Sequence, residues 1–307
     1  MIVQIFLLIL LVTGCTSTPP VTPQQIDLFK RHAVHTTTVN GHTLAYLDEG
    51  QGPPLILIHG FGGSMWQWEQ QQEALAQHFR VITLDLLGSG LSDKPETDYS
   101  PAFILKAFIE FMDNLNIPQA TLLGNSMGAG IAIGMALNHP ERVSKLVLIS
   151  GFPPNVKENI ASPSYKRFVN SRPPIWFARL GLWLGGRWAS ERILSEIIHN
   201  TQYVTPVLIE RSYRNRQDPG FLHPLLSQIE HIPEWEAHFA PRLGQISQPT
   251  LIIWGEHDRV FPITVGRTIH TAIPHSTFFE VPNSGHIPQW ENPQIVNPAL
   301  LQFLQSH

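Results

Sequence analysis

GNSMGAG, residues 124–130, stands between an apolar run, ATLLG (120–124), and a stretch of small residues with helical character, MGAGIAIGMALNHP (127–140). As Gly-x-x-x-Gly-x-Gly it is a glycine-rich turn able to cradle a dinucleotide phosphate. As Gly-x-Ser-x-Gly it is a sharp strand-to-helix turn that holds a serine above a sheet. The two readings require different surroundings.

A dinucleotide turn belongs after the first strand of its unit, with an acidic residue about 20 positions on. Here several apolar runs precede the turn, although Glu141 falls only a little short of that distance. No Tyr-x-x-x-Lys follows, and the chain has no Gly-Lys-Ser/Thr phosphate loop, no His-Glu-x-x-His and no cysteine cluster. No cofactor or metal is expected.

A nucleophilic serine needs a base, and the base needs an orienting acid. Small neighbours at 124 and 128 leave room for Ser126 to project, and a helix beginning at Met127 offers unpaired N–H groups to an oxyanion. In the order serine, acid, histidine, the acid falls in EHDRVFP (256–262), after the strand TLIIWG (250–255), and Asp258 is the candidate. Glu256 is its nearest rival. The histidine falls in NSGHIPQWE (283–291), after the strand TFFEVP (277–282), and is His286. HGFGGS (59–64), after the strand PLILIHG (54–60), supplies a second oxyanion donor. The N–H groups of Phe61 and Met127 are the pair expected. His59 and Asp85 read as turn organisers.

The remaining pattern fits this placement. RVITLD (80–85) and KLVLIS (145–150) are further buried strands, and Asn40–Gly41 marks a hairpin within 32–48. SMWQWEQQQEALAQHF (64–79), PAFILKAFIEFMDNLN (101–116) and PQIVNPALLQFLQ (293–305) read as helices. Apolar strands alternating with helices predict an α/β fold with a mostly parallel sheet covered on both faces. The alternation stops between 152 and 245, a stretch holding Trp176, Trp183, Trp188 and Trp235. It is expected to be a helical cap over the carboxyl edge of the sheet. The core then has two parts, 27–151 and 246–307.

HGFGGSMWQW, DLLGSGLSDKP, GNSMGAGIAIGMALNHPERVSKLVLISG, GEHDRVFP and SGHIPQWENP together resemble the signature segments of the α/β-hydrolase superfamily. The resemblance runs from about Val39 to the C-terminus. It is greatest to small bacterial lipases and esterases and to meta-cleavage-product hydrolases, which split carbon–carbon bonds. Relatives that hydrolyse haloalkanes or epoxides use an aspartate where this chain has Ser126. Ala129 departs from the glycine that many relatives carry.

The N-terminus adds a second expectation. MIVQIFLLILLVTG (1–14) is an apolar run shorter than the ~20 residues of a spanning helix, as in a secretory signal. VTGC resembles a bacterial lipobox, with Cys15, the sole cysteine of the 307 residues, as the lipidated position. No Lys or Arg precedes the run, a departure from the usual pattern. Residues 15–26, polar and proline-rich, read as a tether. With a net charge of −4 and no basic stripe, nucleic acid is not expected as a partner. The whole predicts a lipid-anchored serine hydrolase of the bacterial cell envelope. Its expected substrate is a small ester with an apolar acyl or aromatic part. The alternatives are a carbon–carbon hydrolase and a non-catalytic binding protein on the same fold.

Overall fold

The computed structural model describes residues 30–171 and 173–306; the apolar N-terminal run, Cys15 and the tether lie outside the described residues. The strands are β1 His35–Val39, β2 His42–Glu49, β3 Pro54–Ile58, β4 Arg80–Leu84, β5 Ala120–Asn125, β6 Val143–Ile149, β7 Thr250–Gly255 and β8 Ser276–Val281. They form one sheet in the order β1-β2-β4-β3-β5-β6-β7-β8. β2 runs antiparallel to β1 and β4, and every other pairing is parallel. Asn40 and Gly41 turn the β1–β2 hairpin with φ of 48° and 78°, left-handed backbone that these two residue types tolerate.

Successive side chains in a strand point to opposite faces. Leu55, Leu57, Val81, Leu123, Val147 and Ile253 enter one apolar core. Ile56, Ile58, Ile82, Leu122, Leu148 and Ile252 enter the other. Each buried side chain contributes about 1.5–3 kcal/mol, which explains why these strands are apolar throughout. The first core is closed by helices α1 (Gln72–Ala76) and α12 (Pro293–Gln305), through Leu75, Val296, Leu300 and Leu304. The second is closed by α2 (Pro101–Asn114) and α3 (Met127–Asn138). Ser100 starts α2 by accepting the Phe103 N–H, and Pro101 occupies the first turn, where its missing N–H costs nothing.

The single helix expected over 64–79 is instead a 3₁₀ turn, Met65–Trp68, followed by the short α1. Tertiary hydrogen bonds divide it. The Met65 N–H donates to the Asp85 carboxylate at 2.7 Å, and the Gln67 side chain accepts from the Gly60 N–H at 2.9 Å. Three of its glutamines, Gln67, Gln71 and Gln72, are buried.

Between β6 and β7 the chain forms α4 (Val156–Asn159), α5 (Pro163–Ser171), α6 (Ile175–Ile197), α7 (Pro206–Gln217), α8 (Leu222–Glu230) and α9 (Ile232–Phe239). This is the helical cap. The longest of them, α6, is broken at Gly186, where φ is 50°. α10 (Ile263–Ala272) and α11 (Pro288–Glu291) complete the helices used below. No helix among the described residues is long and apolar enough to cross a membrane.

The strand order 4-3-5 reverses direction at β3, and the crevice beyond the carboxyl ends of such strands is where open α/β sheets bind ligands. HGFGGS leaves β3 and Ser126 leaves the adjacent β5, at that crevice.

Candidate active site

Ser126 joins β5 to α3 with φ 52° and ψ −114°. A non-glycine residue in this region stores about 1–3 kcal/mol of backbone strain and persists only where its neighbours enforce it. The Ser126 N–H is held by the Ile149 carbonyl at 2.9 Å. On either side, a Cβ on Gly124 would overlap the Gly128 backbone, and a Cβ on Gly128 would overlap the Ile58 carbonyl. The turn therefore closes only with glycine at both positions. Gly130 faces Phe152 in the loop after β6. Ala129 is fully buried.

Asp258 and His286 meet beyond the ends of β7 and β8. The His286 Nδ1–H donates to Asp258 Oδ2 at 2.8 Å, which leaves Nε2 as the ring's acceptor. The other carboxylate oxygen accepts the N–H groups of Val260 and Phe261 at 2.8 and 2.9 Å. Asp258 is thus a fixed, buried acceptor. Glu256 is partly exposed and bonds instead to the Asn283 N–H.

The loop after β3 is tied down from several sides. Its Gly63 N–H closes a turn on the Gly60 carbonyl at 3.0 Å. A Cβ on Gly60 would lie 2.9 Å from Asn125 Oδ1 and 3.2 Å from the Ser126 Cβ, so only glycine lets this loop approach the serine. Phe61 follows directly. Met127 opens α3, so its N–H has no acceptor one turn back. His59 donates from Nδ1 to the Gly60 carbonyl at 2.8 Å and accepts the Leu86 N–H at 3.1 Å. Burial lowers its imidazole to about 4, so it stays neutral and occupied. Asp85 accepts the N–H groups of Met65 and Leu91, both at 2.7 Å, and burial raises its carboxyl to about 6. Both residues organise loops.

Ser126, His286, Phe61 and Met127 line one cavity of about 80 Å³ between core and cap. From the cap it is walled by Ile160, Tyr165, Val169, Ile229, Ile232 and Trp235. No Lys or Arg lines it among the described residues. A wider outer pocket of about 400 Å³ shares Phe61 and Tyr165 with it and is lined by Arg167, Arg192 and Arg216. Of the four cap tryptophans, Trp235 lines the inner cavity and Trp188 borders the outer pocket, while Trp176 and Trp183 line neither.

Three supporting residues escape a reading by motif. Asn125 donates through Nδ2 to the carbonyls of Ile149 and His286, at 3.2 and 3.1 Å, and so clamps the serine turn to the histidine loop. Gln67 fixes Gly60 as described. Glu291, 2% exposed, accepts the N–H groups of Gly285 and His199 at 2.8 and 2.7 Å. Burial pushes its carboxyl up to about 7 against those bonds, and the nearby Asp258 charge adds to the rise. A carboxylate five residues past the histidine was visible in the sequence, but only the fold brings His199 to it.

Comparison with known proteins agrees with this architecture. The family model described as the alpha/beta hydrolase fold matches residues 53–293. The uncharacterized hydrolase YugF of Bacillus subtilis is 27% identical over 87% of this chain and 96% of its own length. A 2-hydroxy-6-oxononadienedioate/2-hydroxy-6-oxononatrienedioate hydrolase of Pseudomonas putida is 31% identical over 85% of this chain and 91% of its own. Among solved structures, the meta-cleavage product hydrolase of Pseudomonas fluorescens IP01 superposes with a TM-score of 0.74 at 26% identity, covering 88% of this chain and 97% of that one. A serine turn between sheet and helix, a helical cap inserted between β6 and β7, and a family match over most of its length make this protein a member of the α/β-hydrolase fold family.

Proposed function

We propose that the chain is a serine hydrolase of uncharged carboxylic esters, with Ser126, His286 and Asp258 as catalytic residues. The observation that supports this reading is the inner cavity, lined by both Ser126 and His286 among mostly apolar walls, with no Lys or Arg among the described residues. A carboxylate-bearing substrate buried there would lack a countercharge, at a cost of several kcal/mol. An apolar acyl or aromatic ester carries no such penalty.

In this reading Ser126 Oγ attacks the ester carbonyl carbon and gives its proton to His286 Nε2. Asp258 holds the ring by Nδ1 and stabilises the imidazolium. The N–H groups of Phe61 and Met127 bind the tetrahedral oxyanion. Collapse expels the alcohol, which takes the proton from His286. Water, deprotonated by His286, then cleaves the acyl-enzyme and regenerates Ser126. The strained backbone at Ser126 keeps Oγ presented without reorganisation.

A second reading, carbon–carbon hydrolysis, is favoured by the names of the relatives. A dienoate's carboxylate would then have to reach Arg167, Arg192 or Arg216 in the outer pocket. A panel of p-nitrophenyl esters of increasing chain length, set against a dienoate meta-cleavage product with Ser126→Ala as control, separates the two. Fast dienoate cleavage with negligible ester turnover overturns the ester reading. Within the same proposal, Cys15 carries lipid and anchors the chain in the bacterial envelope. The support is the VTGC stretch behind an apolar run.

A further inference from the structure

The first half of α6, Ile175–Gly185, is apolar nearly all round and yet lies on the outside. Trp176, Phe177, Leu180, Trp183, Leu184 and, just past the break, Trp188 are all exposed, the three tryptophans by 67–68%. Only Ala178 and Leu182, one turn apart on a single face, pack on the cap, against Phe221, Leu222 and Leu225. A helix apolar on every side belongs in a core or in lipid. Contiguous exposed apolar surface of this kind marks an interaction site.

We infer that this half-helix docks the protein on an anionic lipid surface. Three observations choose lipid as the occupant. At about 16 Å the half-helix is too short to cross the ~30 Å hydrocarbon layer, so it can only lie in the interface. Its apolar residues face several directions, which suits immersion in fluid lipid better than a flat contact with a second copy. The charge along this stretch of chain is one-sided: residues 163–192 contain six Lys or Arg and one Glu, in a chain whose net charge is −4, although Arg187 and Arg192 pair with Glu210 and Glu196. Tryptophan, leucine and arginine together are the composition of helices that sit at the headgroup level.

The half-helix also roofs the route inward. Gly181, Leu182 and Trp188 line the outer pocket, which meets the inner cavity at Phe61 and Tyr165. An amphiphile leaving the bilayer beside α6 would therefore enter the outer pocket before reaching Ser126. The docking itself holds whichever bond Ser126 cleaves. A tether over residues 15–26 would reach up to ~40 Å, comparable to the diameter of a folded chain this size. It would let any face approach the membrane, and α6 selects the face.

The test uses the full chain with vesicles of phosphatidylglycerol and phosphatidylcholine whose acyl chains are brominated, which quench tryptophan on contact. Phe177→Glu with Leu184→Glu keeps all eight tryptophans, and unchanged circular dichroism and melting establish that it folds. Wild-type fluorescence should be quenched, less so at high salt. In the double variant the lipid concentration for half-quenching should rise at least about tenfold. Equal quenching in both chains, or none in the wild type, overturns the inference. So does a wild type that is not quenched but is a dimer in sedimentation, becoming a monomer in the variant.

Discussion

The His286 N–H donates to the carbonyl of Ile197 at 2.7 Å. Ile197 is the last residue of α6, and the acceptor lies two residues before His199, whose N–H is held by Glu291. A Cβ on Gly285 would overlap the same Ile197 carbonyl. The cap therefore buttresses the histidine loop as well as roofing the cavity, and disturbance of one reaches the other.

Ser126→Ala should lower ester kcat/KM by on the order of 10⁵–10⁶. Asp258→Asn should lower it by about 10⁴, because the amide cannot hold the same imidazole tautomer or balance its charge. Covalent labelling with a fluorophosphonate reads both: none with Ser126→Ala and slow labelling with Asp258→Asn. An unlabelled wild type would point to a non-catalytic binding role.

Gly128→Ala places a methyl group into the Ile58 carbonyl. With backbone on both sides, neither partner can swing away. We expect a loss of about 1–3 kcal/mol or more in denaturant unfolding, with activity falling alongside as the serine turn shifts.

Glu291 gives a pH signature. Its carboxyl lies near 7 in the folded chain against 4.5 ordinarily, so between those values the folded state holds a proton that the unfolded chain has released. Its contribution to stability is present at the acid end and is lost as pH rises through that window. Glu291→Gln removes the titration. The wild type should therefore gain on the variant by on the order of 1–3 kcal/mol on going from about pH 8 to about pH 5, read from unfolding curves. Because both oxygens accept backbone N–H groups, the glutamine amide also meets a donor with a donor, so kcat should fall at every pH.

Cys15→Ser should abolish incorporation of a clickable palmitate analogue, and combined with Phe177→Glu and Leu184→Glu it should move the protein from the membrane pellet to the supernatant. Unchanged partition with unchanged labelling would count against lipidation.

Much of this fold can be read from periodicity and turns. The strand at 250–255 coincides with its expected span, and the Asn40–Gly41 turn falls where the hairpin requires it. Gly-x-Ser-x-Gly carries part of its own geometry, since Gly124 is demanded by the Gly128 backbone within the turn, while Gly128 is demanded by the Ile58 carbonyl of the neighbouring β3. What lay beyond reading were contacts across the chain. The break at 64–79 comes from Asp85, some 20 residues away. Asn125 acts through the His286 carbonyl, 161 residues on. The exposure of Trp176 and Trp183 reverses the expectation for an apolar, tryptophan-rich segment. Composition can identify such a helix but cannot tell which side of it meets the protein.

β6 and β7 lie side by side, with Ile149 opposite Ile253, although about a hundred residues of cap intervene. Ser126 precedes that detour, and Asp258 and His286 follow it. During synthesis the chain thus carries Ser126 long before the two groups proposed to activate it. Under that proposal the nascent protein would remain inert until β7 and β8 had closed the sheet.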